Sequence, residues 1–298
     1  MSSPTVVIRD VGPRDGLQSE RPVEPSARAQ LARRLADAGV AEVEAASFVS
    51  PTAVASMAGA ADVVAALPAV AGTRWWALVP NRKGAELARA AGIDALTITV
   101  SASDGYSRKN VGVGTDDALA GLAGIVDAAR HRRSAGVVVD VVVSCCFGSP
   151  FEDVADPDQV TAVIERVRRT DADRVTLADT TGTATPRRID AVLDAVGTDV
   201  GLHLHDTRGT ALANALHAIE RGVRRFDTSV GGLGGSPFAP GAGGNLATED
   251  LLLVLDDLGV ETGIDLEAVL GISRDLPELV GHPVPSRTSA AGGLVPFG

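Results

Sequence analysis

Residues 137–144 read VVVDVVVS. Six of these eight residues are valine, a β-branched residue suited to strands. A run this apolar is what a strand shows when both of its faces are covered, as in a parallel sheet. It is broken by Asp140 and is far too short to span a bilayer. Residues 75–79, WWALV, have the same character. Working outward, strand-like runs are predicted at 6–10, 40–45, 74–79, 95–100, 137–144, 174–179, 200–205 and 225–229. Between them lie segments of helical period at 25–38, 52–66, 82–91, 116–135, 157–170, 186–196, 209–221 and 247–258. Residues 27–38, ARAQLARRLADA, place Leu31, Leu35 and Ala38 on one face and stop at Gly39. Eight strand–helix units predict an α/β fold, a (β/α)8 TIM barrel. The alternative, a doubly wound open sheet, is disfavoured because no G-x-G-x-x-G turn follows the first strand. Beyond 258 there is one more amphipathic stretch at 266–269 and a tail rich in Pro and Gly. No linker marks a second domain. The expectation is one catalytic domain over 1–298, with the barrel at about 5–258 and a short C-terminal helical extension at about 259–298.

The chain has 298 residues and is 45% hydrophobic, enough to bury a large core. Its 33 Gly and 16 Pro follow no repeat, which excludes collagen-like and low-complexity classes. Lys and Arg total 27 against 38 Asp and Glu, a formal charge of −11. That balance argues against nucleic acid or an anionic membrane as partner, while leaving room for a local basic pocket. Cys145 and Cys146 are the two cysteines, and they are adjacent. Neighbouring Cα atoms lie ~3.8 Å apart, short of the ~4.4–6.8 Å a disulfide usually spans. They are read as reduced thiols in a reducing compartment. The first strand starts close to the N-terminus with no targeting stretch before it, so a soluble cytoplasmic protein is expected.

A barrel places its reactive residues at the C-terminal ends of the strands and in the loops that follow. Arg14 and Asp15 follow the first strand, Glu44 lies at the end of the second, and Asp179 closes the sixth. His203 and His205 close the seventh, and Asn245 follows the eighth in a glycine-rich loop. In a closed barrel all of these would face one mouth. On a strand, residues i and i+2 point to the same side, so His203 and His205 can reach one metal ion. Asp15 would add a carboxylate and Asn245 an amide oxygen, although spacing alone selects neither, and Asp10 is a rival carboxylate. Such a mixed nitrogen and oxygen set suits six-coordinate Mg2+ or Mn2+ better than a closed zinc site. Glu44 sits among apolar residues and is costly to bury unpaired, which makes Arg14 its natural partner. The two could form a structural ion pair. Asp179, followed by Thr180, Thr181 and Gly182, reads equally as a helix-capping acid. His131, His217 and His282 fall on helical or tail segments and are read as structural.

At these residues the sequence resembles the hydroxymethylglutaryl-CoA lyase family, which lies within the metal-dependent barrel lyases and Claisen-type synthases. The segments that carry the resemblance are 11–18 (VGPRDGLQ), 44–51 (EAASFVSP), 78–81 (LVPN), 108–110 (RKN) and 203–207 (HLHDT). The most specific is the block SVGGLGGSPF at 229–238, continuing as GNLATED at 244–250. The resemblance covers about 5–258 in order. It implies a divalent ion, Mg2+ or Mn2+, held by Asp15, His203, His205 and Asn245. It implies retro-Claisen cleavage of a 3-hydroxy-3-methylglutaryl-CoA-like thioester to acetyl-CoA and acetoacetate. Arg14 and Asp15 would act at the reacting centre, with Arg14 stabilising negative charge on an enolate oxygen. Glu44 and Asp179 would support substrate and metal geometry. Gln18, Thr180, Arg108, Lys109 and Asn110 would complete the substrate site, with Arg108 and Lys109 against the CoA phosphates. Read as residues alone, Arg108 and Lys109 are equally a solvated charge pair in a loop. The implied partner is the acyl-CoA substrate, and a homodimer is compatible with the family.

One position departs from the family. Its loop after the eighth strand carries a catalytic cysteine in Gly-Gly-Cys-Pro-Tyr, and here Gly235-Ser236-Pro237-Phe238 stands in that place. A hydroxyl is a far weaker acid than a thiol of pKa ~8.5. By its position Ser236 is the candidate catalytic residue of the loop, a hydroxyl that exchanges a proton well only when a base activates it. Three further readings stay open: a lyase for a related branched 3-hydroxyacyl-CoA such as citramalyl-CoA, a Claisen-type acyltransferase, and a catalytically silent acyl-CoA-binding barrel.

Overall fold

The computed structural model describes residues 5–130, 136–152, 156–235 and 243–294. Its eight strands are β1 (Val7–Asp10), β2 (Glu42–Ser47), β3 (Arg74–Val79), β4 (Ala95–Ser101), β5 (Val138–Ser144), β6 (Arg174–Asp179), β7 (Gly201–Leu204) and β8 (Arg225–Thr228). Each pairs in parallel with the next. β8 pairs in parallel with β1, from Val7 opposite Arg225 to Asp10 opposite Thr228, so the sheet closes on itself. The helices that follow the strands are α1 (Pro25–Asp37), α2 (Ala60–Ala66), α3 (Arg82–Ala91), α4 (Asp104–Val111), α5 (Thr115–Arg130), α6 (Pro157–Arg168), α7 (Pro186–Val196), α8 (Ala211–Arg221) and α9 (Thr248–Asp257). The architecture is the expected (β/α)8 barrel. The C-terminal extension consists of α10 (Leu266–Val280) and α11 (Arg287–Ala291).

The apolar core lies between the strands and the helices. Ile8, Val43, Ile98 and Val141 on the strands pack in it with Leu31, Leu35, Leu122 and Ile164 on the helices. Helix ends follow local chemistry. The Ser103 hydroxyl accepts from Tyr106 N to start α4, and the Thr185 hydroxyl accepts from Arg188 N to start α7. Three differences from the sequence reading have physical causes. The helix expected at 52–66 forms only as α2, after a single 3-10 turn at Ala55–Met57 and Gly59 in the left-handed region. Helix α4 was not expected, because its eight residues DGYSRKNV carry almost no apolar face. Helix α10 runs through Pro277 to Val280, well beyond the predicted 266–269.

The inside of the barrel is charged. Barrel interiors are usually filled by branched apolar side chains. Here Arg9 of β1 reaches Asp140 of β5 at 2.9 Å, a contact between strands that are not neighbours and so span the interior. Arg9 also grips Asp227 of β8, with Nε to Oδ1 at 2.8 Å and a terminal nitrogen to Oδ2 at 2.9 Å. Its guanidinium lies over the Trp76 ring at 4.7 Å. Thr176 donates to Asp140 at 2.8 Å. Among the described residues, no helix is long and apolar enough to cross a membrane.

Candidate active site

After β1 the chain enters a wide π-type turn at Gly12–Gly16, in which Gly16 N donates to Val11 O at 3.1 Å. This turn presents Arg14 and Asp15. Asp10 stays below it: one oxygen accepts from Gly12 N at 2.8 Å, the other from Val230 N at 3.0 Å and Thr248 Oγ1 at 2.6 Å. Asp10 is thus a strand-end acceptor that ties β1 to the segment after β8, and Asp15 is the carboxylate that joins the histidines. The expected Arg14–Glu44 pair forms, with Arg14 Nε donating to Glu44 Oε2 at 2.5 Å. A second Arg14 nitrogen donates to Asp15 Oδ1 at 2.5 Å, so one guanidinium bridges two carboxylates. The other Glu44 oxygen, Oε1, is buried and has no hydrogen-bond partner among the described residues. The β2–β3 register slips beside Glu44, where Glu44 lies opposite Trp76 but Ala46 lies opposite Ala77.

The imidazoles of His203, in β7, and of His205, just past its end, point the same way, as their spacing predicts. Their Nε2 atoms are 3.2 Å apart. Each ring is held from behind. His203 Nδ1 lies 3.2 Å from Asp227 Oδ2, and His205 Nδ1 lies 3.1 Å from the Gly243 carbonyl. Both acceptors require N–H at Nδ1, which leaves each Nε2 with a lone pair. With both rings neutral, two lone pairs at 3.2 Å repel unless a cation or a shared proton lies between them. Asp15 Oδ2 is 3.9 Å from His203 Nε2, and the ligand atoms of Asp15, His203 and His205 all lie within 4.8 Å of one another. Asn245 Nδ2 donates to Asp15 Oδ2 at 2.8 Å and to Leu233 O at 3.0 Å, which sets its side-chain amide beside the Asp15 carboxylate.

Electrostatics suit the same purpose. Burial pushes the Asp15 carboxyl up, but the Arg14 charge and the neighbouring imidazoles outweigh it and hold it at about 2. Burial, together with His203, lowers His205 to about 4, so this ring stays neutral. Burial also opposes charge on His203, but Asp227 and Asp15 outweigh it and raise that ring. The set is two imidazoles, a carboxylate and an amide, with no thiolate, and these residues fit a divalent cation.

The remaining residues are more dispersed. Asp179 Oδ1 accepts from Thr183 N at 2.7 Å and Ala184 N at 3.0 Å, the capping role that its sequence context allowed. Its Oδ2 is buried without a partner among the described residues, and burial lifts the group to about 6. Thr180 Oγ1 accepts from Cys145 N at 3.0 Å. Gln18 is half-buried just past the π-type turn, and its carbonyl accepts from Ser56 Oγ at 2.6 Å. Arg108, Lys109 and Asn110 are exposed on α4 rather than in a loop, and Arg108 pairs with Asp104 at 2.7 Å. Ser236 lies outside the described residues, as does His131. Cys145 and Cys146 are buried and free, and burial pushes the Cys145 thiol up to about 12. Sequence reasoning missed Asp227. Its signal was an acidic residue inside a predicted barrel strand, next to Phe226, which burial tolerates only with partners.

Comparison with known proteins agrees with this geometry. The model of the HMGL-like family matches residues 5–276. An (R)-citramalyl-CoA lyase of Chloroflexus aurantiacus is 41% identical, over 98% of this chain and 96% of that protein. A hydroxymethylglutaryl-CoA lyase of Pseudomonas mevalonii is 39% identical, over 96% of each. Among solved structures, an HMG-CoA lyase of Acinetobacter baumannii in complex with coenzyme A and 3-methylmalate superposes with a TM-score of 0.92 at 36% identity, covering 100% of this chain and 99% of that one. Matched over nearly its whole length in sequence and in fold, the chain belongs to the HMGL-like family.

Proposed function

We propose that this protein is a divalent-metal-dependent carbon–carbon lyase that cleaves a 3-hydroxy-3-methylglutaryl-CoA-like thioester to acetyl-CoA and acetoacetate. The observation that carries this reading is the convergence of Arg14, Asp15, His203, His205 and Asn245 at one barrel mouth. Hydroxymethylglutaryl-CoA lyases among the relatives support it. Asp15, His203, His205 and Asn245 would hold a divalent ion, Mg2+ or Mn2+ by the character of these ligands, and when bound it would supply Lewis acidity to lower the pKa of the substrate's tertiary alcohol. Loss of the alcohol proton converts the C–O bond to a ketone and breaks the adjacent carbon–carbon bond. The released electron pair forms the thioester enolate. Arg14, fixed by Glu44 and Asp15, offers its guanidinium charge to the enolate oxygen. Protonation of the enolate carbon then gives acetyl-CoA, and Ser236 is the loop residue assigned to that proton transfer. Gln18, Asp179, Thr180, Arg108, Lys109 and Asn110 are assigned to substrate binding, with Arg108 and Lys109 toward the CoA phosphates.

A second reading has its own support. Ser236 stands where the family places a thiol, and an (R)-citramalyl-CoA lyase is as similar as any hydroxymethylglutaryl-CoA lyase reported above. The same bond cleavage on a branched acyl-CoA with a carboxylate on the carbinol carbon would give acetyl-CoA and pyruvate. One experiment separates the readings. Purified protein with Mg2+ or Mn2+ is given hydroxymethylglutaryl-CoA or citramalyl-CoA, and acetyl-CoA, acetoacetate and pyruvate are quantified, with Ser236→Cys in parallel. Acetoacetate from the wild type, abolished by chelation and restored by Mn2+, is the expected result. Pyruvate alone selects the second reading. No acetyl-CoA from either substrate, in the wild type and in Ser236→Cys, overturns both.

A further inference from the structure

We infer that Asp227 is a positioning residue for the metal ligand His203, held in place by Arg9 from inside the barrel. The inference rests on the metal site proposed above. Both Asp227 oxygens are engaged by the Arg9 fork, Oδ1 by Nε at 2.8 Å and Oδ2 by a terminal nitrogen at 2.9 Å. A bidentate pair of this kind fixes the carboxylate plane. Oδ2 also meets His203 Nδ1 at 3.2 Å. The carboxylate cannot rotate away from the ring without giving up the fork. Arg9 is itself immobilised, by Asp140 at 2.9 Å and by the face of Trp76 at 4.7 Å. The ring of His203 is therefore anchored to β1, β3 and β5 through side chains that are all buried.

The two histidines are held by different devices. His205 Nδ1 rests on the Gly243 carbonyl, part of the glycine-rich loop after β8, and needs no charge behind it. His203 rests on an anion. An anion at Nδ1 keeps the proton there, leaves the Nε2 lone pair for the ion and raises the basicity of the ring as a ligand. An amide in place of Asp227 cannot do this. With its oxygen toward Arg9, its N–H₂ faces His203 Nδ1 and drives the ring to the Nε2–H tautomer, which points a proton into the site. Turned the other way, its N–H₂ meets the Arg9 donors. A role confined to neutralising Arg9 would leave the tautomer and the metal affinity untouched.

The test uses full-length protein with 15N-labelled histidine. Long-range 1H–15N correlations report the tautomer of each ring in the metal-free protein, and the aqueous Mn2+ EPR signal reports Mn2+ binding. At a pH where the ring is neutral, wild-type His203 is expected as the Nδ1–H tautomer. Asp227→Asn is expected to shift His203, but not His205, toward Nε2–H, and to weaken Mn2+ binding by about 10- to 100-fold. Arg9→Lys keeps the charge but loses the fork, and is expected to weaken Mn2+ in the same direction. It decides the question if Asp227→Asn fails to fold. Folded variants with the wild-type tautomer and Mn2+ affinity within twofold of wild type overturn the inference while leaving the metal site standing. A wild type that takes up no Mn2+ overturns the metal site and this inference with it.

Discussion

Arg14 meets three demands at once. It neutralises the buried Glu44, holds the Asp15 carboxylate and keeps a cation at the barrel mouth. Lysine can match the charge but not the fork. Arg14→Lys is therefore expected to lower kcat by about 10²- to 10³-fold with a much smaller change in KM, the loss seen when one aimed donor to a developing oxyanion is removed. Steady-state kinetics at saturating Mn2+ check this, and a KM increase with kcat unchanged would assign Arg14 to ground-state binding instead. At this scale the sequence was partly legible. The apolar neighbours of Glu44 called for a cation, and the i, i+2 spacing of His203 and His205 placed both rings on one side. The choice between Asp10 and Asp15 was not legible from spacing. It depends on the π-type turn at Gly12–Gly16, whose carbonyl pairing leaves no period in the sequence. Asp227 was missed because its partner Arg9 lies 218 residues away.

The segment after β8 builds the site by returning to β7. Leu246 N donates to Leu204 O at 2.9 Å, Asp206 N donates to Gly244 O at 2.8 Å, and Asn245 bridges antiparallel to His205. That pairing, and not the strand order, brings Asn245 beside the histidines. It requires close backbone approach, since a Cβ on Gly244 would lie 1.7 Å from the Gly232 carbonyl oxygen. Gly244→Ala must displace backbone, so Mn2+ affinity is expected to fall by about tenfold or more, ~1.4 kcal/mol at tenfold. The barrel itself should melt nearly as before. Mn2+ titration and a thermal melt check the pair of expectations, and unchanged Mn2+ binding would show that the loop can shift without moving Asn245. Strands were legible because continuous apolar runs mark both-face burial, and seven of the eight begin within one residue of the expected start. Helix α4 was not, because Arg108, Lys109 and Asn110 face solvent on it and leave only Tyr106 and Ser107 to pack.

Across the whole molecule, a charged interior and an apolar shell divide the work. The shell between strands and helices stabilises the barrel, while Arg9, Asp140 and Asp227 inside it tie the strands to the site. Removing one partner from such a buried set typically costs about 3–5 kcal/mol, so these positions affect stability and site geometry together. Eight strand–helix units made the barrel itself legible. The charge of its interior was not, because the sequence shows that Asp140 interrupts a valine run but not which residue crosses the ring to meet it.

The ring closes where β8 meets β1, and Asp15 and Asn245, 230 residues apart in the chain, stand on either side of that seam. Until the seam forms there is no pocket for an ion. A folding transition state with the seam still open gains nothing from Mn2+, whereas the native state gains all of it. At 100 times its Kd, Mn2+ should stabilise the protein by ~2.7 kcal/mol, expressed as roughly 100-fold slower unfolding with an unchanged refolding rate. Stopped-flow unfolding and refolding with and without Mn2+ measure both limbs, and faster refolding would mean that the site forms before the ring closes. The ion then acts as a latch on a finished circle, and what it lengthens is the time the circle stays shut.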